Sequence, residues 1–186
     1  MNPSIHIVPA SLKDILLLVE QVEEFAEAGE RTEEEYRNKI GNAKFLCLIG
    51  YLNKKPAGFF IGYDRYQDGS FYCWRVGVLP AFRRKGLLRS LMHYAEKWSV
   101  DQGFQKIKLI TRNSRRPMLS YLITENYHFT EIILKETIDD NRIRAEKQII
   151  AESHNRTLEA TLVAQTVKRA TAMTAIDRKE KYSVAH

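Results

Sequence analysis

The amino-acid sequence predicts an α/β domain over residues 1–150, followed by a helix within residues 151–186. Strand-like and helix-like segments alternate along the first 150 residues, turn-forming residues separate them, and the composition changes afterwards. With 186 residues, of which 44% are hydrophobic and 28% charged, the chain can bury one sizeable core. These three observations favour a single globular domain with a C-terminal extension.

The N-terminal part predicts one short strand and two helices. Residues 4–8 alternate as a strand does, and residues 11–28 carry an apolar repeat of helical period. A second helix is expected over residues 32–40, because Thr32 and Glu35 have the spacing of a capping box. These helices contain most of the acidic residues in the first part of the chain.

Three strands in succession are predicted next. Residues 44–52, 57–66 and 71–79 are rich in apolar and aromatic side chains, and residues 67–70 form a strong hairpin signal. They suggest an antiparallel meander with a largely buried face.

Helices and strands alternate again after the meander. An amphipathic helix is predicted over residues 86–102, a strand over 106–111 and a short helix over 117–125. The last strands, 129–138 and 142–150, are expected to form a hairpin around the Asp-Asp-Asn turn between them. Residues 151–186 then show an approximate helical spacing diluted by Thr and Ala.

Composition excludes several classes of function. There is no basic stretch followed by an apolar segment at the N-terminus and no apolar run of roughly 20 residues, so we expect a cytoplasmic protein that does not enter membranes. Cys47 and Cys73 lie in apolar strands without metal-ligand spacing, and the five histidines are scattered. We therefore expect two buried cysteines and no metal site.

The segment Arg83-Arg84-Lys85-Gly86-Leu87-Leu88 is the most informative in the sequence. It opens the predicted helix 86–102 without a Ser, Thr, Asp or Asn cap, and three cations lie where the helix dipole disfavours them by up to about 1 kcal/mol each. A bound anion resolves both problems, because phosphate oxygens accept from unpaired amides while the cations neutralise their charge. A helix with a merely basic, solvated start is the alternative. The patterns GxxxxGK[ST] and GxGxxG are absent.

Together with Val78-Leu79-Pro80, this segment resembles the signature of the GNAT superfamily of acetyl-CoA-dependent N-acetyltransferases. That signature is a strand ending in V-x-P, followed by [RQ]-x-x-G-x-[GA] at the start of a helix. Leu88 departs from it, since a small residue is usual there. The order of elements over about residues 4–150 also agrees. The resemblance implies a mixed, mostly antiparallel central sheet with helices on both faces.

The resemblance also implies which residues bind acetyl-CoA. The backbones of Val76 and Val78 would pair with the pantetheine arm, and Asn113 would bond to it. The diphosphate would be held by the amides of residues 84–88 and by nearby cationic side chains; the residues involved are Arg83, Arg84, Lys85, Gly86, Leu87 and Leu88. Leu88 must turn its side chain into the core to leave room for the phosphate.

Two catalytic roles are proposed on the same grounds. The amide of Val78 would donate to the thioester carbonyl, and Tyr121 would protonate the leaving thiolate. Tyr121 stands one residue from the family's spacing, where Leu122 lies, so a core aromatic is an equal alternative. Strand 71–79 lacks the glutamate that family members often use as a base, and Asp64 and Asp68 are reserve candidates. His93 is expected at the surface.

The resemblance predicts transfer of an acetyl or other acyl group from acetyl-CoA to an amine of a small molecule or protein, directly in a ternary complex. Eight glutamates over residues 20–35 would favour a cationic acceptor, although two solvated helix faces explain them as well. One alternative is a non-catalytic, CoA-binding module whose segment 151–186 docks a partner or a second copy. Another, which we disfavour despite the net charge of +6, is nucleic-acid binding through the arginine clusters.

Overall fold

The computed structural model describes residues 4–26 and 32–149. Within these residues it contains seven strands and five α-helices, in the order β1 (Ile5–Pro9), α1 (Leu12–Val19), α2 (Glu23–Ala26), α3 (Glu33–Ile40), β2 (Phe45–Leu52), β3 (Lys55–Tyr63), β4 (Ser70–Val78), α4 (Leu87–Asp101), β5 (Lys106–Arg112), α5 (Arg116–Thr124), β6 (His128–Ile133) and β7 (Arg142–Gln148). The helix predicted within residues 151–186 lies outside the described residues, as does the boundary between domain and extension. None of the described helices has the length and apolar character needed to cross a membrane.

The seven strands form one mixed sheet in the order β1-β2-β3-β4-β5-β7-β6. Strands β4 and β5 are parallel, and every other neighbouring pair is antiparallel. The mixed, mostly antiparallel sheet is thus confirmed. The final hairpin is also confirmed, with β7 inserted between β5 and the edge strand β6.

One face of the sheet is covered by α4 and α5. Leu87, Leu91, Met92 and Ala95 of α4 are each at most 1% exposed, and they pack with Leu122 of α5 against the sheet. Burying a side chain of leucine or methionine size contributes about 1.5–3 kcal/mol relative to leaving it exposed. The helix was predicted from the spacing of Leu87, Leu91, Ala95 and Trp98, which Met92 flanks.

The opposite face is covered by α1, α2 and α3. Ile15 and Leu18 of α1 pack with Tyr36 of α3 against Ile49 and Phe59 of the sheet. Phe25 of α2 stacks edge-to-face on Phe59, with ring centroids 5.5 Å apart. Helices therefore lie on both faces, as expected, and the two clusters are separated by the sheet.

The predicted helix over residues 11–28 is wrong in its length. α1 ends at Val19, and tight turns follow in which the Gln21 and Val22 amides donate to Leu18 and Val19. A separate short helix α2 then begins at Glu23. The apolar period did not reveal this break, because Val22 and Phe25 pack in the same cluster as α1.

The strand predicted over residues 129–138 is also too long. β6 ends at Ile133, which pairs with Arg142, the first residue of β7. Leu134 and Ile138 beyond it are 76% and 75% exposed. Their apolar character suggested a strand, but a strand can extend only as far as its neighbour offers partners.

Other local predictions are confirmed. Thr32 and Glu35 form the capping box of α3, and Asn126, which ends α5, has a left-handed backbone with φ 61°. Cys47 and Cys73 are buried thiols, and burial raises the pKa of Cys47 to about 12. Both are therefore inert structural residues at neutral pH.

Candidate active site

The sheet opens between β4 and β5. These parallel strands pair only from Ser70–Lys106 to Cys73–Leu109. A β-bulge at Trp74 follows, where the partner of Ile61 is Arg75 and that of Gly62 is Cys73. Because a bulge bends and twists its strand, the second half of β4 diverges from β5, and the edge of each strand is left open beyond this point.

The backbones of Val76 and Val78 face this opening. The Leu79 amide donates to the Ala57 carbonyl at 2.9 Å, and in an antiparallel ladder the residues that bond to the neighbour alternate. Gly77 therefore directs its polar groups towards β3, while Val76 and Val78 direct theirs away from it. The two residues expected to pair with an extended ligand thus present their amides and carbonyls to the opening.

A row of unpartnered amides lies at the start of α4. The amides of residues 84–88 donate no hydrogen bond within the described part of the chain, and no side chain caps the helix. Arg84 and Gly86 both have left-handed φ values, 60° and 82°. Alternation of this kind turns successive amides towards one point, an arrangement with which backbones can form concave anion sites.

The three cations of this segment differ in their contacts. Arg83 forms two bonds of 2.8 Å to Glu24, and its Nε donates to the Val78 carbonyl at 3.1 Å. Lys85 donates to the Ala81 carbonyl at 3.3 Å, whereas Arg84 is exposed. The Arg83 side chain, expected at the diphosphate, is thus held by a carboxylate in this structure.

Leu87 and Leu88 leave the amide row accessible. Leu87 is 1% exposed and belongs to the core, and Leu88 packs against the same cluster. The predicted inward turn of the Leu88 side chain is therefore confirmed. A Cβ at Gly86 would meet only Ile5, at 3.7 Å, so glycine is required there by its backbone conformation rather than by crowding.

Asn113 lies directly after β5, at the far end of the opening. Its Nδ2 donates to the Ile138 carbonyl at 3.0 Å, and its amide donates to Asn141 at 2.8 Å. These bonds fasten the turn between β6 and β7 to the end of β5. The side-chain oxygen remains as the acceptor that a ligand could use.

Tyr121 is half-buried on α5 and packs against the α4-side cluster. Burial, with Glu125 and Glu96 nearby, raises the pKa of its phenol, so the phenol stays protonated at neutral pH. The neighbouring Leu122 is fully buried. Of the two candidates for the family's tyrosine position, only Tyr121 thus carries a proton that could be donated.

The carboxylates proposed as reserve bases are both engaged. Asp64 accepts from the Gln67 amide at 3.1 Å. Burial would raise the pKa of Asp68, but bonds from Lys108 and Ser70 outweigh it and lower that pKa to about 2, which makes Asp68 a weak base. His93 is exposed on α4, as expected. On β4 itself, Arg75 is 5% exposed and lies over the Tyr36 ring at 4.9 Å.

Sequence reasoning did not single out Glu24 or Arg142. Glu24 links the two sides of the opening, because it binds Arg83 after β4 and Arg115 after β5, the latter at 3.9 Å. Arg142 lies opposite Arg112 on the neighbouring strand. No sequence spacing could have found these contacts, since Glu24 and Arg83 are 59 residues apart.

Side chains that could ligate a metal ion do not cluster in the described part of the chain. Over residues 4–26 and 32–149, no three His, Cys, Asp or Glu side chains come together in a cluster that could hold a metal ion.

Comparisons with known proteins agree with this geometry. The profile of the Acetyltransferase (GNAT) family matches residues 14–122. An acetyltransferase of Pectobacterium atrosepticum is 26% identical over 111 residues, which cover 58% of this chain and 77% of that protein. An acetyltransferase of Sodalis glossinidius is 25% identical over 112 residues, with the same coverage.

Solved structures show the same fold. The ribosomal-protein-S18-alanine N-acetyltransferase of Escherichia coli has a TM-score of 0.65 at 20% identity, over 80% of this chain and 96% of that one. The PaiA N-acetyltransferase of Thermoplasma acidophilum, solved in complex with coenzyme A, has a TM-score of 0.61 at 19% identity, over 78% of this chain and 99% of that one. Since the family profile covers more than half of the sequence, the chain belongs to the GNAT family of acetyltransferases.

Proposed function

We propose that this protein transfers an acetyl group from acetyl-CoA to the amine of a small molecule or protein, directly in a ternary complex. The observation that carries the proposal is the row of unpartnered amides over residues 84–88, beside the opening between β4 and β5. Five amides in succession without acceptors are costly unless solvent or a ligand accepts from them. A diphosphate next to an extended arm matches both features.

The residues present fit acetyl-CoA. The amides of residues 84–88 would hold the diphosphate, and Arg84, which is exposed beside them, would add a positive charge. The Arg83 guanidinium, which binds Glu24 in this structure, would also bind the diphosphate if the diphosphate displaces Glu24. Val76 and Val78 offer an open strand edge to the amide groups of the pantetheine arm.

Each step of the transfer can be assigned to this chain, except removal of the amine proton. Bound acetyl-CoA supplies a thioester, whose acyl carbon gains a C–N bond while its C–S bond breaks. The Val78 amide would donate to the carbonyl oxygen as negative charge develops on it. Tyr121 would give its proton to the departing sulfur. Positioning of both substrates contributes the rest, up to about 7–11 kcal/mol in favourable cases.

The proposal is tested by calorimetric titration of the full chain with acetyl-CoA and CoA. We expect micromolar binding by the wild type and its loss in Gly86→Glu, because that substitution brings bulk and negative charge to the amide row. The matched control is Gly103→Glu at the other end of α4, where the glycine also has a left-handed φ and open space around it. Circular dichroism would verify that both variants fold.

The titrations of the wild type and the two variants decide whether the proposed cofactor site exists. Loss of binding in Gly86→Glu but not in Gly103→Glu supports the cofactor site and justifies a screen of amines for turnover. Absence of CoA binding by the wild type would overturn the proposed function.

A second candidate is the non-catalytic, CoA-binding module. The observation that favours it is the absence of any carboxylate from β4, where Arg75 is buried instead. Tight CoA binding with no turnover over a broad amine panel would support this candidate. Its partner, or a second copy of the chain, would then be sought through residues 151–186.

A further inference from the structure

Two arginines lie side by side on the face of the sheet that α1, α2 and α3 cover. Arg112 of β5 and Arg142 of β7 are direct partners in the antiparallel ladder, so their side chains project from the same face. That face is identified by Ile110, two residues before Arg112, which packs with the α1–α3 cluster. The pair therefore stands at the end of β5, beyond the last residues that pair between β4 and β5.

The ion pairs that the structure describes around Arg112 and Arg142 involve few carboxylates. Arg112 meets Asp140 at 3.5 Å, while Arg115 shares Glu24 with Arg83. Arg142 makes no ion pair of its own within the described residues, although it is half-buried. The described ion pairs in this part of the structure thus join Arg83, Arg112 and Arg115 to Glu24 and Asp140, and they do not include Arg142.

The next residue on the same face of β7 provides a contrast. Arg144 binds Glu131 at 3.0 Å and is exposed to solvent. Arg142 is less exposed, yet it lacks such a partner. Burial and, to a lesser extent, the neighbouring Arg112 lower the pKa of Arg142, even though Asp140 lies nearby.

We propose that Arg142, together with Arg112, forms a carboxylate subsite beside the opening, on the sheet face that α1, α2 and α3 cover, so that the acceptor is an amine that carries a carboxylate, as an amino acid does. The inference rests on the proposed function and names its substrate class. A guanidinium pair on adjacent strands can bind one carboxylate through several parallel N–H···O bonds. This substrate class differs from the expectation of a cationic acceptor; of the eight glutamates behind that expectation, Glu24 is bound to Arg83 and Glu33 to Arg37.

The same arginines could replace part of the role of the general base that β4 lacks. Positive charges near an amine disfavour its protonated form and lower its pKa. An acceptor anchored by its carboxylate among these arginines would hold its amine close to them. The field of the arginines would then increase the fraction of neutral amine by favouring release of the amine proton to solvent water, so that a carboxylate on β4 is not needed for this step.

The test measures binding, so that it does not depend on turnover. CoA-saturated protein is titrated by calorimetry with N-acetyl amino acids and with the corresponding N-acetyl amino acid amides, over a panel of small, large apolar, polar and acidic side chains. Acid and amide differ only in the carboxylate. We expect at least one acid to bind about 10- to 100-fold more tightly than its amide, in line with charge-assisted arginine pairs.

Variants assign that preference to a residue. Arg142→Gln should abolish the difference between acid and amide, and Arg142→Lys should retain part of it. Arg144→Gln removes the same charge from the same strand and face, and it should leave the preference unchanged. The affinity for CoA alone should not change in Arg142→Gln.

Each remaining outcome contradicts the inference. It is overturned if acids bind no better than amides, if no compound of the panel binds, or if Arg144→Gln acts as strongly as Arg142→Gln. Weaker CoA binding in Arg142→Gln would instead assign the arginines to a phosphate of CoA. In all these cases CoA binding by the wild type keeps the proposed function intact, whereas a wild type that does not bind CoA would overturn both.

Discussion

At the scale of single residues, the Ser99 hydroxyl is a buried polar group on the α4 side of the core that does not stabilise the fold. Ser99 is 0% exposed, and its hydroxyl has no hydrogen-bond partner in the part of the chain that the structure describes. A buried hydroxyl without a partner keeps its full desolvation cost. Serine is also a weaker helix former than alanine.

Ser99→Ala should therefore raise the free energy of unfolding by about 1 kcal/mol. Urea denaturation at pH 7 measures it. The matched control is Ser90→Ala on the same helix, where the hydroxyl does bond, to the Gly86 carbonyl at 3.3 Å. A decrease in stability for Ser99→Ala would mean that the small void it leaves outweighs the removed hydroxyl.

Other residue contacts connect α4 to the sheet. Glu96 accepts from the Tyr127 hydroxyl at 2.9 Å and from Lys147 at 2.8 Å. Glu96 and Lys147 are mostly buried, with side chains 12% and 22% exposed. Removing either charge would therefore destabilise the fold, because the other charge would be left buried without a partner. This network fixes the helix whose first turn carries the amide row.

At the scale of elements, the turn between β3 and β4 is fastened to β5 by one carboxylate. Asp68 accepts from Lys108 and from both the amide and the hydroxyl of Ser70. These bonds lower its pKa from 3.8 to about 2. A depressed carboxyl pKa contributes stability that is present above pH about 4 and is lost as the pH falls towards 2.

Asp68→Asn should accordingly destabilise the protein at pH 7, by about 1 kcal/mol, since Asp68 is 43% exposed and solvent screens part of the interaction. The difference from wild type should shrink below pH 4. Urea denaturation between pH 7 and pH 3 measures this. Lys108→Gln should have a similar effect, and the double variant should lose little more than either. A difference that is constant with pH would show that the lowered pKa does not stabilise the fold.

At the scale of the whole molecule, helices cover both faces of the sheet, and within the sheet β4 and β5 separate along part of their length. The two clusters of buried residues include side chains of β2, β3, β4, β5 and β7, whereas backbone pairing between β4 and β5 stops after Cys73 and Leu109. A ligand in this opening would bridge the second half of β4 and the end of β5, which have no backbone pairing with each other. Such a ligand should stabilise the whole domain.

Acetyl-CoA at 100 times its dissociation constant should thus add about 2.7 kcal/mol to the free energy of unfolding, or about 5–10 °C to the melting temperature. Thermal unfolding followed by circular dichroism measures the shift. Gly103→Glu should keep it, and Gly86→Glu should lose it. An equal shift in both variants would place the ligand away from the amide row.

Much of this architecture was determined by the sequence alone. Hydrophobic period and turn residues predicted every described strand, α3, α4 and α5, because those patterns are local consequences of which face is buried. The uncapped start of α4 predicted the row of unpartnered amides for the same reason: helix ends expose amides whatever surrounds them. The V-x-P and R-x-x-G motifs identified the family.

Only the tertiary structure decided the rest. The break after α1 and the end of β6 depend on packing partners, which a local period cannot show. The capture of Arg83 by Glu24 and the pairing of Arg112 with Arg142 join residues that lie far apart in the sequence. Charge in the sequence suggested a cationic acceptor, and its arrangement in space suggests the opposite, because electrostatic interactions depend on which charges meet and not on how many there are.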